Sequence, residues 1–413
     1  MKKSINSPFF RLSLMMLFQH MMFAVWWVPF AAYLVNIHVV GTQNALMLSS
    51  MAIGCLASPL IGMIADRYFS SEKVLAVLNF LNAILLILAG VVSNHDLLFI
   101  FLLLAMLFYM PTWGLTSSIA MTHAPSELFP RIRVFGSIGW VASGIFSVIT
   151  VKFFNIGFDG TNIPFFYAGA ISLVASLFNL SLPSTPPPAK GKKGSLIDAF
   201  GLRAVKLMAD RNFAAFIILS FLSVIPFSMY WSYCSEFLLD KGFKFISITM
   251  NWGQLAEMLI LVSVPLSIRK IGLRNTMVLG LVALLIRYLA FYSGVWAGFS
   301  GLYFIGILVH GFIFGFFYVG GQIYIDKKAP KELKAQAQGF IFLVTFGLGL
   351  LAGNFISRQI IDNYSEIANN GRVYHWDSIW GVTTIMSLVL LLAFMLFFKT
   401  DKEHWKRQLK TRT

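Results

Sequence analysis

The chain has 413 residues, of which 58% are hydrophobic and only 12% are charged. Because soluble proteins carry about 25% charged residues, a soluble globular protein is excluded, and lipid must cover much of the surface. The net charge of +15 does not predict a nucleic-acid partner, since the basic residues do not form a patch on a soluble domain. Cys55 and Cys234 lie in separate apolar segments without metal-ligand spacing. They are interpreted as buried small hydrophobes, and neither a metal site nor a cofactor is predicted.

Twelve segments are apolar over roughly 20 residues, the length that crosses the ~30 Å hydrocarbon core as a helix. The first one follows a basic start, as in a signal peptide. Its apolar stretch is too long and lacks a small-residue cleavage site, so a membrane span is expected instead. We predict an all-α membrane protein with twelve transmembrane helices, at 10–35, 44–65, 74–93, 97–122, 133–154, 163–183, 212–238, 245–267, 275–297, 300–325, 335–358 and 377–399.

The distribution of Lys and Arg orients these spans. With the N-terminus in the cytoplasm, 26 of the 32 basic residues fall in cytoplasmic segments. An excess of basic residues in loops marks the cytoplasmic side. Both termini are therefore predicted to be cytoplasmic.

A linker divides the chain into halves of six spans each. STPPPAKGKKGS, at 184–195, is rich in Pro, Gly and Lys and cannot span a membrane. The stretch after it, 196–208, is expected to form an amphipathic helix along the cytoplasmic face. The predicted organisation is an N-terminal six-helix bundle at 1–183, a cytoplasmic linker at 184–211, a C-terminal six-helix bundle at 212–399 and a cytoplasmic tail at 400–413.

The two halves share an internal repeat. A Pro-Leu dipeptide followed by a basic turn ends both the second and the eighth span. The fifth span carries Gly136 and Gly144, and the eleventh carries Gly339 and Gly347, with the same spacing of eight. Small residues let helices approach closely. Chance is the alternative, because Gly and Pro are frequent in membrane helices. The repeat favours two similar halves around a central cavity, as in secondary transporters.

One carboxylate, Glu257, lies near the middle of the eighth span. A charge at the bilayer centre costs ~2.5–3.5 kcal/mol on insertion scales and usually marks a pathway or a proton site. Gln254 is three residues earlier and shares its helix face, so both can point into one cavity. Glu257 is predicted to bind substrate and to couple proton movement to it. A structural carboxylate paired with a neighbouring Arg or His is the alternative.

Other polar residues within the spans have two interpretations each. His310, at mid-depth in the tenth span, is either a hydrogen-bonded core residue or a second proton carrier, since imidazole titrates near neutral pH. Gln19 is a candidate cavity residue, and its neighbour His20 points elsewhere. Arg133 binds substrate or anchors a helix end. Arg287 is expected to snorkel or to pair within the bundle.

Several stretches resemble a known family. GMIADRYFSSEK (62–73) is similar to the G-x-x-x-D-R loop of the major facilitator superfamily, although the later Gly-Arg-Arg portion is absent. Longer stretches resemble the bacterial nucleoside permeases of the nucleoside:proton symporter family, in register over almost the whole chain. They are YMPTWGLTSSIA (109–120), FPRIRVFGSIGW (129–140), GQLAEMLIL (253–261), GFIFGFF (311–317) and KAQAQGFIFLVTFGLGLLAG (334–353).

The resemblance implies a central substrate site built from both halves. The matching positions are Arg133, Ser137, Trp140, Gln254, Glu257 and Phe314. Aromatic faces with donors and acceptors also suit a nucleoside, which joins a flat ring to a polyhydroxyl sugar. The chain departs from the family in the seventh span, where Ser228 and Trp231 replace Gln and Asn and are predicted to bind substrate in their place. In the tenth span, Gly315 replaces an aspartate and His310 replaces a tyrosine.

Five charged residues lie where cytoplasmic helix ends meet and are predicted to form gating ion pairs. They are Asp66, Arg67, Arg269, Lys270 and Arg274. The alternative is that the basic residues only mark the cytoplasmic side of the membrane and so set the orientation of the spans.

The resemblance implies a monomeric transporter of a bacterial inner membrane that imports nucleosides with protons by alternating access. The partners are then a nucleoside, protons and the lipid bilayer. A sugar or another polyhydroxyl metabolite is the alternative substrate, suggested by the altered seventh span. Drug efflux fits the polar face of Gln254 less well. A membrane enzyme would need a nucleophile–base pair or a metal cluster, and no catalytic residue is predicted.

Overall fold

The computed structural model describes residues 8–399 except 126–127, 188–194, 331–332 and 369–370, and it leaves the side chains of 64–66, 335 and 371 undescribed. Within these ranges, ten helices are long and apolar enough to cross a membrane. They form spans 1–5, 7 and 9–12, at Pro8–Asn36, Gly41–Met63, Ser71–Val91, His95–His123, Phe129–Phe154, Arg211–Asp240, Leu273–Trp296, Gly301–Lys328, Gln336–Asn363 and Trp376–Phe397. The helices Ile163–Asn179 and Ile246–Ile271 lie where spans 6 and 8 were predicted.

Several spans depart from a regular α-helix. Span 1 breaks between Trp27 and Phe30, and span 5 breaks at Gly144. Spans 10 and 11 each contain a π-helical turn, at Ile313–Val319 and Leu343–Gly349. Such turns are rare and often lie at functional sites. The predicted all-helical class is confirmed, with one short β-hairpin that the sequence did not predict.

The helices pack mainly within two groups, spans 1–6 and spans 7–12. In the first group, span 1 packs on spans 5 and 6, and span 4 packs on spans 2 and 3. In the second, span 7 packs on spans 11 and 12, and span 9 packs on spans 10 and 12. Among the described residues, the main contacts between the two groups join span 1 with span 7, span 5 with span 8, and span 2 with span 11.

The linker does not form the single amphipathic helix expected at 196–208. Leu196–Ala199 is a short α-helix, and Leu202–Ala209 is a 3₁₀-helix. Gly201 between them has φ +65°, a left-handed conformation that ends the first helix. Asp198 accepts a hydrogen bond of 3.1 Å from Gln336, so the linker is held against the start of span 11. We call this side of the bundle the linker face.

The opposite side carries the β-hairpin, with β1 at Ser365–Ala368 and β2 at Gly371–Tyr374 paired antiparallel. We call it the hairpin face. The buried Arg358 binds Glu236 at 3.2 Å and Asp362 at 2.7 Å. Arg372 of β2 also binds Asp362. This ionic cluster joins the ends of spans 7 and 11 at the hairpin face to the hairpin.

The two halves meet near the hairpin face. The backbone N–H of Ala32 donates to Ser235 Oγ at 3.3 Å, and Asn354 Nδ2 donates to the carbonyl of Leu48 at 2.9 Å. Two glycines of the sequence repeat lie in these contacts at related positions. A Cβ at Gly144 would lie 2.6 Å from Asn251 of span 8, and one at Gly347 would lie 2.7 Å from Leu56 of span 2.

Asp159 forms a further contact between the halves, from the loop at 155–162. Its carboxylate accepts hydrogen bonds from the hydroxyl and the backbone N–H of Ser247 in span 8. Ser147 donates to it as well, at 3.1 Å. Burial raises the pKa of Asp159 above its ordinary value, and the hydrogen bonds from Ser247 offset part of this effect. The loop thus closes the hairpin face with a titratable group.

Close packing of spans 1 and 5 gives a test of the fold. A Cβ at Gly139 would overlap the backbone carbonyl of Leu17, and a backbone atom cannot move aside alone. We expect Gly139→Ala to lower the free energy of unfolding by about 1–3 kcal/mol, as overpacked sites do. Gly114→Ala is the matched control, because its Cβ would meet nothing within 4 Å. Thermal unfolding of the purified variants measures both, and equal melting temperatures would contradict this packing.

The Asp159 contact predicts a pH dependence of closure. Asp159 holds its proton more tightly in the closed face than when it is exposed to water, because burial raises its pKa there. Acidification through that pKa therefore favours closure, and a higher pH weakens it. Asp159→Asn should remove this dependence. Asp159→Ala should open the face at any pH, since Ser247 loses its acceptor.

Spin labels at Ile156 and Ile367 can measure this opening, because both residues are exposed on the hairpin face in different halves. Pulsed electron resonance distances should lengthen with pH in the wild type and stay constant in Asp159→Asn. Labels at Phe299 and Ile367, both exposed in the second half, are the control for local changes. A distance that still responds to pH in Asp159→Asn would contradict the assignment.

Candidate functional site

A cavity lies between the two halves, where spans 1, 5, 7, 8 and 10 meet. Its walls come from both halves of the chain. The lining residues are Trp27, Val28, Trp140, Tyr230, Trp231, Met250, Asn251, Gln254 and His310. Of the residues predicted from sequence to bind substrate, the structure brings Trp140, Trp231, Gln254 and His310 together in this wall.

Aromatic rings form much of the wall. Trp140 and Trp231 face each other across the two halves, with ring centroids 5.7 Å apart. Trp231 also stacks on His310 at 6.3 Å and on Phe227 at 5.7 Å. Flat, polarisable surfaces of this kind favour a flat ligand ring stacked against them. A cavity with rings from each half can therefore hold one ligand between the halves.

Glu257 lies one side chain behind the wall and faces inward. It is only 7% exposed. Gln254 Nε2 donates to Glu257 Oε2 at 2.7 Å, and His310 Nε2 lies 3.5 Å from the same oxygen. The predicted polar face of span 8 is thus present, and its carboxylate reaches the cavity through Gln254 and His310.

Arg287 is fully buried in span 9 behind His310. Its Nη2 lies 2.9 Å from His310 Nδ1, and its Nε donates to the carbonyl of Gly306 at 3.0 Å. The guanidinium also lies 3.7 Å above the ring of Tyr230. Of the two roles expected from sequence, Arg287 pairs within the bundle, and its partner belongs to the cavity wall.

The other predicted binding residues lie outside this wall. Arg133 is exposed and interacts electrostatically with Glu257. Ser137 is half-buried on the same helix. Phe314 packs one turn beyond His310, at 6.2 Å between rings. Their part in substrate binding stays a prediction.

Gln19 and Ser228 are held by their own halves. Gln19 is buried and donates to Thr112 within the first half. Ser228 is buried between spans 7 and 11, where its hydroxyl lies 2.9 Å from that of Ser357. Neither side chain is among the lining residues of the cavity, and their part in substrate binding stays a prediction.

Three buried polar atoms of the cavity residues have no hydrogen-bond partner in the described part of the chain. They are the indole Nε1 of Trp27, that of Trp231 and the Oδ1 of Asn251. The other side of the Asn251 amide donates to the carbonyl of Val141 at 3.1 Å. Buried polar groups are nearly always paired. These two donors and one acceptor are therefore available to a ligand.

Sequence reasoning missed Trp27, Tyr230 and Asn251. Asn251 carried a usable signal, because Asn251, Gln254 and Glu257 follow one another at intervals of three on one helix face. Trp27 gave no such signal, since it lies in a run of apolar residues. Tyr230 could not be found in this way either, because its position depends on the contact of its ring with Arg287, which lies in a distant segment of the chain.

The predicted gating residues lie at the linker face. Arg269 and Lys270 are exposed. Arg274 instead donates to the carbonyls of Phe398 and Met395, at 2.8 and 2.6 Å, and so caps span 12 of its own half. Arg67 is half-buried at the end of span 2, and the side chain of Asp66 lies outside the described residues. A gating role for this group stays a prediction.

Comparison with known proteins identifies close relatives of the chain. The model of a family described as "Nucleoside H+ symporter" matches residues 7–403. The putative nucleoside transporter YegT of Escherichia coli is 35% identical over 403 residues, which are 95% of this chain and 94% of that protein. The nucleoside permease NupG of the same organism is 27% identical over 408 residues, with 94% and 95% covered.

Solved structures agree with this relationship. A crystal structure of the nucleoside transporter NupG superimposes with a TM-score of 0.83 at 26% identity and covers 96% of this chain and 100% of that one. A D-xylose-proton symporter structure shares only the fold, with a TM-score of 0.71 at 13% identity and 96% and 99% covered. The resemblance noted in the sequence is confirmed, as is the twelve-helix major facilitator fold. The chain belongs to the nucleoside H+ symporter family.

Proposed function

We propose that this chain imports nucleosides together with protons and that the cavity between its halves is the substrate site. The family and the apolar helices make it a multi-pass transporter of the inner membrane. The observation that carries the proposal is the combination of Trp140 and Trp231 from opposite halves with the Gln254–Glu257 pair beside them. One ligand in this place contacts both halves.

The nucleobase is the part of the substrate that suits the aromatic walls. A base stacked against the Trp140–Trp231 pair would lie close to the indole N–H of Trp231 and the free oxygen of Asn251. Gln254 would then be available to the hydroxyl groups of the sugar. In such a site the aromatic faces bury the ligand, and the few hydrogen-bond donors and acceptors fix its orientation and provide specificity.

Glu257 is the proposed proton site. The carboxylate is buried and accepts a hydrogen bond from Gln254. His310, which lines the cavity, lies beside it. Proton uptake on Glu257 changes what Gln254 and His310 can offer to the substrate. Two ligands that alter each other's contacts in this way bind cooperatively, and the coupling acts in both directions.

Transport would proceed by alternating access, with one chain as the working unit because both walls come from the same molecule. The contacts of Ala32, Asn354 and Asp159 close the hairpin face. With the termini in the cytoplasm, as the distribution of basic residues indicates, this is a conformation closed to the outside. In the other conformation the linker face would be closed, and Arg67, Arg269 and Lys270 would form ion pairs that keep it closed.

Glu257→Gln tests the proton site. The amide resembles the protonated acid, so substrate binding and exchange should persist while accumulation driven by a proton gradient is lost. Uptake and counterflow of radiolabelled uridine or adenosine in vesicles measure the two activities. Glu72→Gln is the matched control, because Glu72 is also buried but accepts a hydrogen bond from the Thr185 backbone outside the cavity. Full proton-driven accumulation by Glu257→Gln would refute the assignment.

Trp231→Phe tests the role of the indole N–H. Phenylalanine keeps an aromatic face and removes one donor, whose hydrogen bond is worth about 0.5–1.5 kcal/mol. We expect KM for the nucleoside to rise about 2–10-fold, with kcat little changed.

Trp380→Phe is the control for this experiment. Its Nε1 is also buried without a partner in the described chain, and it packs in the second half away from the cavity. Trp380→Phe should leave KM unchanged. If Trp231→Phe bound every nucleoside as the wild type does, the indole N–H would have no part in recognition.

A further inference from the structure

Arg287 is a buried charge that has no carboxylate as a direct partner in the described chain. It is 0% exposed, and its hydrogen bonds go to the carbonyl of Gly306 and to His310. The phenol oxygen of Tyr288 is a further hydrogen-bond partner of the guanidinium, and it carries no charge. An unbalanced charge in a low-dielectric interior is very costly. The position of Arg287 therefore needs a compensating negative charge nearby.

The hydrogen bonds fix the state of the intervening imidazole. A guanidinium can only donate, so His310 Nδ1 must accept from Arg287 Nη2 at 2.9 Å. The ring proton is then on Nε2, which points to Glu257 Oε2 at 3.5 Å. His310 is thus a neutral imidazole that donates on one side and accepts on the other. It connects a positive charge to a negative charge.

We propose that Arg287 is the counter-charge of Glu257, acting through neutral His310, and that this relay couples the proton site to the cavity. The proposal rests on the proposed function and adds Arg287 as a positioning residue, since it does not line the cavity. It also assigns the proton to Glu257 alone, because His310 cannot gain a proton on Nδ1 while Arg287 donates there.

Other polar groups surround the relay. Arg133 of span 5 acts electrostatically on Glu257 from the other half, and Gln254 donates to it. The phenols of Tyr230 and Tyr288 and the thiol of Cys234 adjoin Arg287. Among these neighbours, Glu257 is the one acid placed to balance Arg287 in the described chain.

The relay explains how proton and substrate could affect each other. With Glu257 ionised, its attraction holds the His310 N–H away from the cavity. Protonation of Glu257 removes the negative charge and weakens this bond. The His310 N–H then becomes available to a ligand in the wall that His310 helps to form. Arg287 is then left without its counter-charge until the proton leaves.

The test compares Arg287→Gln with the wild type in proton-driven uptake across a range of pH. Without the positive charge, the ionised carboxylate of Glu257 loses its proposed counter-charge. The pH profile of proton-driven uptake should therefore move to higher pH. Counterflow exchange should persist. His310→Phe, which interrupts the hydrogen bonds and keeps an aromatic face, should shift the profile in the same direction.

Arg358→Gln is the matched control, since Arg358 is equally buried in the same half but is paired with Glu236 and Asp362. It should lower the amount of folded protein without moving the pH profile of what remains. If Arg287→Gln folds poorly, adding Glu257→Gln should restore folded yield, because both charges are then removed together. A double variant no more stable than the single one would overturn the relay.

The outcomes separate this inference from the proposed function. If Glu257→Gln still accumulates nucleoside with a proton gradient, the proposed proton site is wrong. If Glu257→Gln loses accumulation while Arg287→Gln and His310→Phe keep the wild-type profile, only the relay is wrong.

Discussion

The balance of buried charge is the constraint on which the site depends. In a bilayer interior, an ion needs a partner within hydrogen-bonding reach or a charge close behind that partner. Arg287 and Glu257 meet this requirement only through His310. The pair is therefore not a sealed ion pair, and a proton on Glu257 alters the whole chain of bonds. An arrangement of this kind suits the proposed exchange of a proton at Glu257 inside the bilayer.

The two halves form the cavity because they approach each other at related positions. Gly144 of span 5 lets span 8 come close, and Gly347 of span 11 does the same for span 2. Their partners in the sequence repeat behave differently, since Gly136 packs on His20 of its own half and Gly339 meets open space. One glycine of each pair thus serves the contact between halves. A repeat at this level allows a single rocking movement to exchange one closed face for the other.

The sequence predicted what depends on local pattern. Apolar length located the spans, and the spacing of Gln254 and Glu257 located the polar face of span 8, because both signals lie within one helix. The β-hairpin was missed because its short strands are polar and exposed and resemble an ordinary loop. The contact of Arg287 with His310 joins spans 9 and 10 and depends on how two helices are rotated against each other. No periodicity in a single segment contains that information, and the same holds for Trp27 of the cavity wall.

Two arginines are buried in the described part of the second half, and their surroundings argue for different roles. Arg358 is bound by Glu236 and Asp362, and Tyr374 donates to Glu236 at 2.9 Å. In that cluster two carboxylates balance two cations, Arg358 and Arg372, and the cluster lies next to the contacts that close the hairpin face. Arg287 has a single carboxylate, one imidazole away and beside the cavity. A saturated cluster resists change and suits a structural role, whereas a chain with one titratable end responds to a single proton. The way in which each arginine is balanced by negative charge therefore distinguishes a structural arginine, Arg358, from the proposed coupling arginine, Arg287.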